Sequence, residues 1–223
     1  NIITMLGPAS DAMIDTSDHF ELTTWLSARH ILGTAYFQVG HKNNDPKLLT
    51  KGLEKLIDNI STCEQILPTE HLDALSYRET LAWAVGQIGE FERSLELYED
   101  LLERIEEFYS PHHFHALNIR LNIGSTLNSL NQPEQAIQVL SPLELELEAR
   151  MEPTSFTLAN CRYSLGNSHY LLADYAAALE LYTKVSDVAS SLSSSFRAAV
   201  ADNWFSLSLH LALNKHTEEA VCL

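Results

Sequence analysis

The chain has few cations and few glycines. Its 223 residues include 14 Lys or Arg against 30 Asp or Glu, which gives a formal net charge of −16. Because a phosphate backbone is bound by clustered cations, this balance argues against nucleic acid as a direct partner. The same negative field attracts basic or amphipathic segments of other proteins. The charge therefore favours a protein or peptide partner.

Catalytic signatures are missing as well. The sequence contains no phosphate-cradling glycine loop, GxSxG elbow or HExxH motif, and no pair of carboxylates framed by a histidine. With eight glycines and no strand pattern to carry a loop-built site, we predict that the chain is not an enzyme and uses no cofactor. His112, His113 and His115 lie close together, but no Cys or carboxylate stands beside them at ligand spacing. We predict no metal site.

Cysteines and long apolar runs are scarce. Cys63, Cys161 and Cys222 are far apart and form no CxxC pair, so we predict neither a disulfide framework nor a zinc site and expect a reducing cytoplasm. No apolar stretch reaches the roughly 18 residues that a membrane span needs. The chain begins without Met and stops inside a predicted helix, so we expect it to be part of a longer protein.

A repeat of 42 residues runs through the chain. The segment 89–98 is echoed at 131–140 and 173–182, and an aliphatic residue followed by a small one recurs at 81, 123, 165 and 207. Apolar residues within each copy follow helical spacing. The first copy is seven residues longer, and the polar stretch His41–Pro46 is predicted to form a turn that holds this insertion.

Small residues recur where the two helices of a hairpin must approach closely, at 33, 82, 124 and 166 and at 94, 136 and 178. Since one hairpin cannot bury its apolar face, neighbouring hairpins are expected to stack. The predicted fold is all-α: an α-solenoid, or right-handed superhelix, of antiparallel helix hairpins. After a tail or helix start at 1–17, a single array covers 18–223, with units at about 18–67, 70–109, 112–150, 154–192 and 195–223, the last incomplete.

These features resemble the tetratricopeptide repeat (TPR) family, in which a small residue and aromatic or Leu positions recur across a helix pair. The usual unit has 34 residues. The longer period here, and linkers such as 68–75 and 109–117, resemble the kinesin-light-chain type of repeat. The resemblance covers about residues 25–223. It implies an interaction module, because similar arrays bind peptides on their concave side.

A stripe of mostly polar, uncharged residues marks the first helix of each unit at spacings of i, i+4 and i+7. Its members are Ser76, Thr80, Trp83, Asn118, Asn122, Ser125, Asn160, Ser164 and Asn167. A carboxamide offers a donor and an acceptor together, so we predict that this stripe contacts the main chain of a bound segment. The alternative is an ordinary solvated surface. The fifth unit departs from the pattern, with Asp202, Ser206 and Leu209.

Aromatic residues and arginines lie near this stripe. Trp83, Tyr163, Tyr170 and Phe205 could anchor apolar side chains of a partner, or could serve ordinary packing between repeats. An arginine stands four residues before the small residue of each first helix, at Arg29, Arg78, Arg120 and Arg162. Helical phase turns the arginines away from the stripe. We predict that they pair with carboxylates of neighbouring helices; a row of anion-binding residues is the alternative.

The sequence therefore predicts a protein-interaction module that holds a peptide or protein segment in a concave groove, within a larger multidomain protein. The alternative is a regulatory or sensor domain of a signalling protein or transcription regulator, which responds to a small effector or to an intramolecular segment. Self-association remains possible in either case.

Overall fold

The computed structural model describes residues 19–68 and 70–188. Within these ranges the chain forms eight α-helices and no strand. The helices are α1 (His19–Asn43), α2 (Pro46–Ile66), α3 (Leu72–Gln87), α4 (Phe91–Phe108), α5 (Phe114–Ser129), α6 (Pro133–Arg150), α7 (Phe156–Leu171) and α8 (Tyr175–Asp187). The predicted tail at 1–17, the end of the fourth unit and the fifth unit lie outside the described residues.

The chain divides into two compact units, unit 1 (Asn1–His113) and unit 2 (Phe114–Leu223). Unit 1 contains α1 to α4, and unit 2 contains α5 to α8. Within each unit, helices that follow one another in the chain pack together. Short turns join them into antiparallel hairpins. The predicted all-α fold of helix hairpins is confirmed. None of the described helices combines the length and the apolar character that crossing a membrane requires.

One residue with left-handed backbone reverses the chain inside each hairpin. These residues are Asn44, Gly89, Asn131 and Ala173, with φ of 50°, 87°, 57° and 59°. Glycine adopts this conformation at no steric cost, and Asn tolerates it, whereas a Cβ on other residues costs about 1–2 kcal/mol. Ala173 therefore carries a strain at the repeat position where Gly89 carries none.

The first hairpin has the shortest of these reversals. Only Asn44 and Asp45 lie between α1 and α2, and the Asp45 carboxylate accepts hydrogen bonds from the backbone amides of Lys47 (3.0 Å) and Leu48 (3.3 Å). The predicted turn over His41–Pro46 is thus largely wrong, because α1 stays helical through Asn43. The seven-residue insertion lengthens both helices, and a left-handed Asn followed by a capping Asp sets the reversal.

Close helix contacts depend on the small residues. A Cβ on Gly124 would lie 2.4 Å from Leu140 Cδ2, and one on Gly166 would lie 2.5 Å from Tyr182 Cε1. In unit 1, Ala82 is fully buried, and its carbonyl oxygen accepts a hydrogen bond of 2.8 Å from the Ser94 hydroxyl. A larger residue at Gly124 or Gly166 would displace the Leu140 or Tyr182 side chain that packs against it.

A polar residue stands in the core of unit 1 where the other hairpins have apolar ones. Asn59 is fully buried, and neither atom of its carboxamide has a hydrogen-bond partner among the described residues. The same repeat position in the other hairpins is occupied by Leu101, Leu143 and Val185, all buried. An unpaired buried amide destabilises the fold, so the core of unit 1 is less favourable at this point than its counterparts.

Candidate functional site

A concave pocket of about 440 Å³ lies in unit 2 between α5 and α7, the first helices of two successive hairpins. It is lined by Ser125, Asn128, Ser129, Asn160, Tyr163, Ser164, Asn167, Tyr170 and Leu171. Four of these, Ser125, Asn160, Ser164 and Asn167, belong to the predicted polar stripe. None of the lining side chains is charged, so the pocket offers hydroxyls, carboxamides and aromatic surface in place of a net field.

Asn128 joins the two walls of this pocket. Its Nδ2 donates to the carbonyl oxygen of Ser164 (2.8 Å), and its Oδ1 accepts from the hydroxyl of Ser168 (2.8 Å). The hydroxyls of Ser125 and Ser164 lie 2.9 Å apart. Because these bonds link α5 to α7, the protein's own contacts fix the floor of the pocket.

Asn167 is held from the side of the core. The hydroxyl of Tyr182, a buried residue of α8, donates to Asn167 Oδ1 at 2.6 Å. Tyr182 reaches this position because Gly166 leaves room for its ring. Asn167 therefore helps to position the hairpin as well as to line the pocket, and its replacement would disturb both.

Asn160 differs from its neighbours. Its side chain is half-buried at the pocket, and its carboxamide makes no hydrogen bond with any residue that the structure describes. A carboxamide has two donors and an acceptor with two lone pairs. Among the described residues, none of these donors and acceptors of Asn160 is used, so they can serve a bound molecule.

Two tyrosines form the aromatic part of the lining. The ring of Tyr163 lies 6.0 Å from that of Tyr182, and the ring of Tyr170 lies 5.7 Å from that of Tyr175. Both therefore pack inside the last described hairpin and also line the pocket. The sequence left open whether these tyrosines anchor a partner or serve packing between repeats, and the two roles are compatible at these positions. Phe205 lies outside the described residues.

The pocket does not include all of the stripe. Asn118 and Asn122 are half-buried on α5, about two turns and one turn before its first lining residue, and they do not line the pocket. Asn128 and Ser129 do line it and were not predicted. Ser129 continues the stripe one turn beyond Ser125, so the spacing alone could have extended the site to it.

In unit 1 the stripe residues are engaged differently. Thr80 Oγ1 lies 3.1 Å from His30 Nε2, and the His30 ring stacks on Tyr77 with centroids 4.5 Å apart. Burial lowers the pKa of His30 to about 4. Trp83 packs edge-on against Phe37, with centroids 5.5 Å apart, beside a buried apolar cluster. Ser76 is half-buried, and its carbonyl oxygen accepts a hydrogen bond from Thr80.

Two arginines of the predicted ladder form ion pairs in unit 1. Arg29 pairs with Asp58, and Arg78 Nη2 lies 2.6 Å from Glu64 Oε1. The carboxylates stay largely exposed, with side-chain exposures of 67% and 45%. Both pairs tie a first helix to α2, but water screens them.

In unit 2 one arginine of the ladder, Arg162, is buried. Arg162 Nε lies 2.7 Å from Glu144 Oε1, and its Nη2 lies 2.5 Å from Glu148 Oε1. The side-chain exposures of Arg162 and Glu144 are 8% and 10%, so each of these two charges depends on the other. Arg120 is half-buried on α5.

The described residues contain no group of three or more His, Cys, Asp or Glu arranged to hold a metal ion. His112, His113 and His115 fall within that search. Cys63 and Cys161 are buried free thiols, and burial raises their pKa values to about 11 and about 12, so both stay protonated at neutral pH. Cys222 lies outside the described residues.

No protein-family model and no curated protein sequence matches the chain. Solved structures do. The nearly identical TPR-like repeats of a Podosopora anserina chain described as a kinesin light chain match with a TM-score of 0.61 and 16% identity, over 84% of this chain and 83% of that one. BtubC (BKLC) from P. vanneervenii matches with a TM-score of 0.68 and 14% identity, over 92% of this chain and 81% of that one. At such low identity the likeness establishes the fold, and the fold is that of TPR-like repeats, as predicted.

Proposed function

We propose that the chain is a protein-interaction module, and that the pocket between α5 and α7 holds an extended segment of a partner protein. The observation that carries this proposal is Asn160, a half-buried carboxamide on a formed pocket that has no hydrogen-bond partner among the described residues. Every donor and acceptor of this group is open to the alternating amides and carbonyls of a peptide backbone.

The neutral lining supports a main-chain ligand. A charged effector would leave its charge uncompensated in a pocket that offers no counter-charge, whereas a peptide backbone needs neutral donors and acceptors. The volume of about 440 Å³ lies within the ~300–1,000 Å³ of typical ligand pockets. This favours a peptide segment over a charged small molecule as the occupant of the pocket.

The hydrogen bonds that fix the floor of the pocket favour ligand binding. Asn128 is held at both ends of its carboxamide, so the pocket requires little ordering when a ligand enters. Tyr163 and Tyr170 add aromatic surface against which an apolar side chain of the segment can pack. The polar groups would fix the direction of the segment, and the tyrosines would select its side chains.

The net charge acts at longer range. At −16 the chain attracts basic or amphipathic segments before contact, although no charge stands in the pocket itself. Charge would therefore influence the rate of encounter more than the contacts in the bound state.

A selection from a random peptide library tests the proposal. The wild type is compared with Ser129→Trp, which places a large ring at an exposed position on the rim of the pocket. The matched control is Ser61→Trp, the same change at an exposed position of α2. Peptides enriched by the wild type and by Ser61→Trp, and lost by Ser129→Trp, would support the pocket. Enrichment by all three proteins, or by none, would overturn it.

A further inference from the structure

A stripe of lysines gives this acidic chain one positively charged surface. Four of its six lysines fall between residues 42 and 55. Lys47, Lys51 and Lys55 follow one another at i, i+4 and i+8 along α2, and Lys42 stands in the last turn of α1. Side chains spaced by four residues share one face of a helix. We call these four residues the lysine stripe.

Three of the four residues in the lysine stripe present their charge to solvent, whereas Lys55 is half-buried. Lys42, Lys47 and Lys51 are exposed, and the ammonium groups of Lys42 and Lys47 form no ion pair with any residue in the described ranges. The Lys51 ammonium lies 4.4 Å from the centre of the Tyr36 ring, which holds it in place. Lys47 and Lys51 line a shallow depression of about 510 Å³ with Pro46, Thr50 and Glu54.

The repeat does not require these lysines. The positions of Lys47, Lys51 and Lys55 in the third hairpin are occupied by uncharged residues, which are Asn131, Gln135 and Val139. None of the four lysines lines the pocket between α5 and α7. The stripe is therefore a local addition to an acidic chain, and neither the fold nor the proposed pocket accounts for it.

The chain also carries the complementary surface. On α4, Glu92, Glu96, Glu99 and Glu103 are exposed at i, i+4, i+7 and i+11, and none of them forms an ion pair within the described part of the chain. This acidic face spans about three helical turns, as long as the run from Lys47 to Lys55 with one turn to spare. Carboxylates one turn apart meet ammonium groups one turn apart when two such helices lie side by side.

We infer that the lysine stripe docks the acidic face of α4 from a second copy of this chain. Each copy carries both surfaces, so a two-fold arrangement would use each of them twice and close into a dimer. The −16 charge of the chain repels nucleic acid and anionic membranes, and it also opposes the approach of a second copy. The second copy differs from these polyanions because it brings complementary charge at two contacts: its acidic face meets the lysine stripe, and its own lysine stripe meets the acidic face of the first copy.

Sedimentation equilibrium of the full chain at high micromolar concentration tests this inference. At about 0.15 M salt the Debye length is about 8 Å, so contact charges dominate, and we expect dimers; at about 1 M salt, where it is about 3 Å, we expect monomers. Lys47→Glu/Lys51→Glu and Glu99→Lys/Glu103→Lys should each weaken dimerisation about tenfold or more, because like charges then face each other. An equimolar mixture of the two variants should dimerise again.

The matched control is Arg150→Glu/Lys184→Glu, which changes the net charge as much as the lysine variant but at residues of unit 2. It should dimerise like the wild type. A wild type that stays monomeric, or variants that dimerise normally, would overturn the inference. If the monomeric wild type nevertheless bound a synthetic peptide of residues 91–108, a second copy would be excluded as the occupant and an acidic segment of another protein would take its place.

Discussion

The two units present the same face of the repeat with different side chains. In unit 1, Phe37 of α1 and Trp83 of α3 pack their rings together at 5.5 Å. At the same repeat positions in unit 2 stand Asn128 and Asn167, which line an open pocket. The helices that carry these residues correspond, so the backbone pattern does not decide whether the face is filled. The side chains at these two positions decide whether the face is filled, and they differ from one copy of the repeat to the next.

This contrast extends below the surface. His30 in unit 1, stacked on Tyr77, corresponds in position to Leu121 in unit 2, which is buried. Asn59 is an unpaired core amide in unit 1, where unit 2 has Leu143 and Val185. Unit 1 thus fills its surface with aromatic rings and tolerates polar groups inside. Unit 2 also buries polar side chains, including the ion pair of its arginine ladder, but its uncharged polar residues line a pocket that a ligand can reach.

The largest expected effect concerns the arginine ladder. Arg162→Met leaves Glu144 buried without a counter-charge and should lower the free energy of unfolding by about 3–5 kcal/mol. Arg78→Met should cost about 1 kcal/mol or less, because Glu64 stays 45% exposed. Chemical denaturation of both variants measures the difference. Adding Glu144→Leu to Arg162→Met should restore most of the loss, and equal losses in the two single variants would contradict this account.

The next largest effect is expected when the residues at this repeat position are exchanged between unit 1 and unit 2. Trp83→Asn removes a ring that packs on Phe37 and should lower the stability by about 2–4 kcal/mol. Asn167→Trp should instead fill the pocket and abolish peptide binding, with a loss of stability of its own because Tyr182 loses its acceptor. Denaturation and peptide binding are measured on both proteins. A neutral Trp83→Asn would show that the rings of unit 1 do not contribute to its stability.

Lowering the pH should reduce the stability of the protein through His30, a residue of unit 1. Its pKa is about 4 in the folded protein, against an ordinary value of 6.5 for a histidine side chain, so the unfolded state takes up a proton first as the pH falls. Stability is fully present above about pH 6.5 and is lost towards pH 4, with a slope of at most about 1.4 kcal/mol per pH unit from this group. Denaturation of wild type and His30→Gln between pH 7 and 4 isolates the contribution. Identical slopes would contradict it.

The smallest effect lies in the turns. Ala173→Gly removes a Cβ from a left-handed residue and should raise the stability by about 1 kcal/mol, whereas Gly89→Ala should lower it by about 1–2 kcal/mol. Thermal unfolding of the two variants provides the comparison. Opposite signs are expected because the two residues hold the same repeat position, in unit 2 and in unit 1.

Much of the fold could be predicted because the period reflects close packing between the two helices of each hairpin. Gly124 and Gly166 recur every 42 residues because a side chain of the facing helix packs where a Cβ would stand, and such a constraint repeats wherever the hairpin does. The turn of the first hairpin was misjudged for the opposite reason. Polar residues such as His41 and Lys42 indicate solvent exposure, which the end of a helix and a turn share.

The pocket could be predicted only in part. Spacing identifies the residues of one helix face, but the neighbouring helix decides what each of them does. Asn167 is engaged by Tyr182 of α8, whereas Asn160, about two turns earlier on the same face, makes no bond within the described structure. Likewise Trp83 faces Phe37, a residue of another hairpin. Such pairings depend on packing between helices, which the 42-residue pattern does not encode.

The most direct test of the proposed pocket compares two asparagines at the same repeat position. Asn118 and Asn160 are both half-buried and neither makes a hydrogen bond within the described residues, but Asn160 alone of the two lines the pocket. The Kd of one selected peptide is measured for Asn118→Ala and Asn160→Ala. We predict that Asn160→Ala weakens binding about tenfold and that Asn118→Ala leaves it unchanged. Equal weakening by both variants, or by neither, would contradict a binding site centred on this pocket.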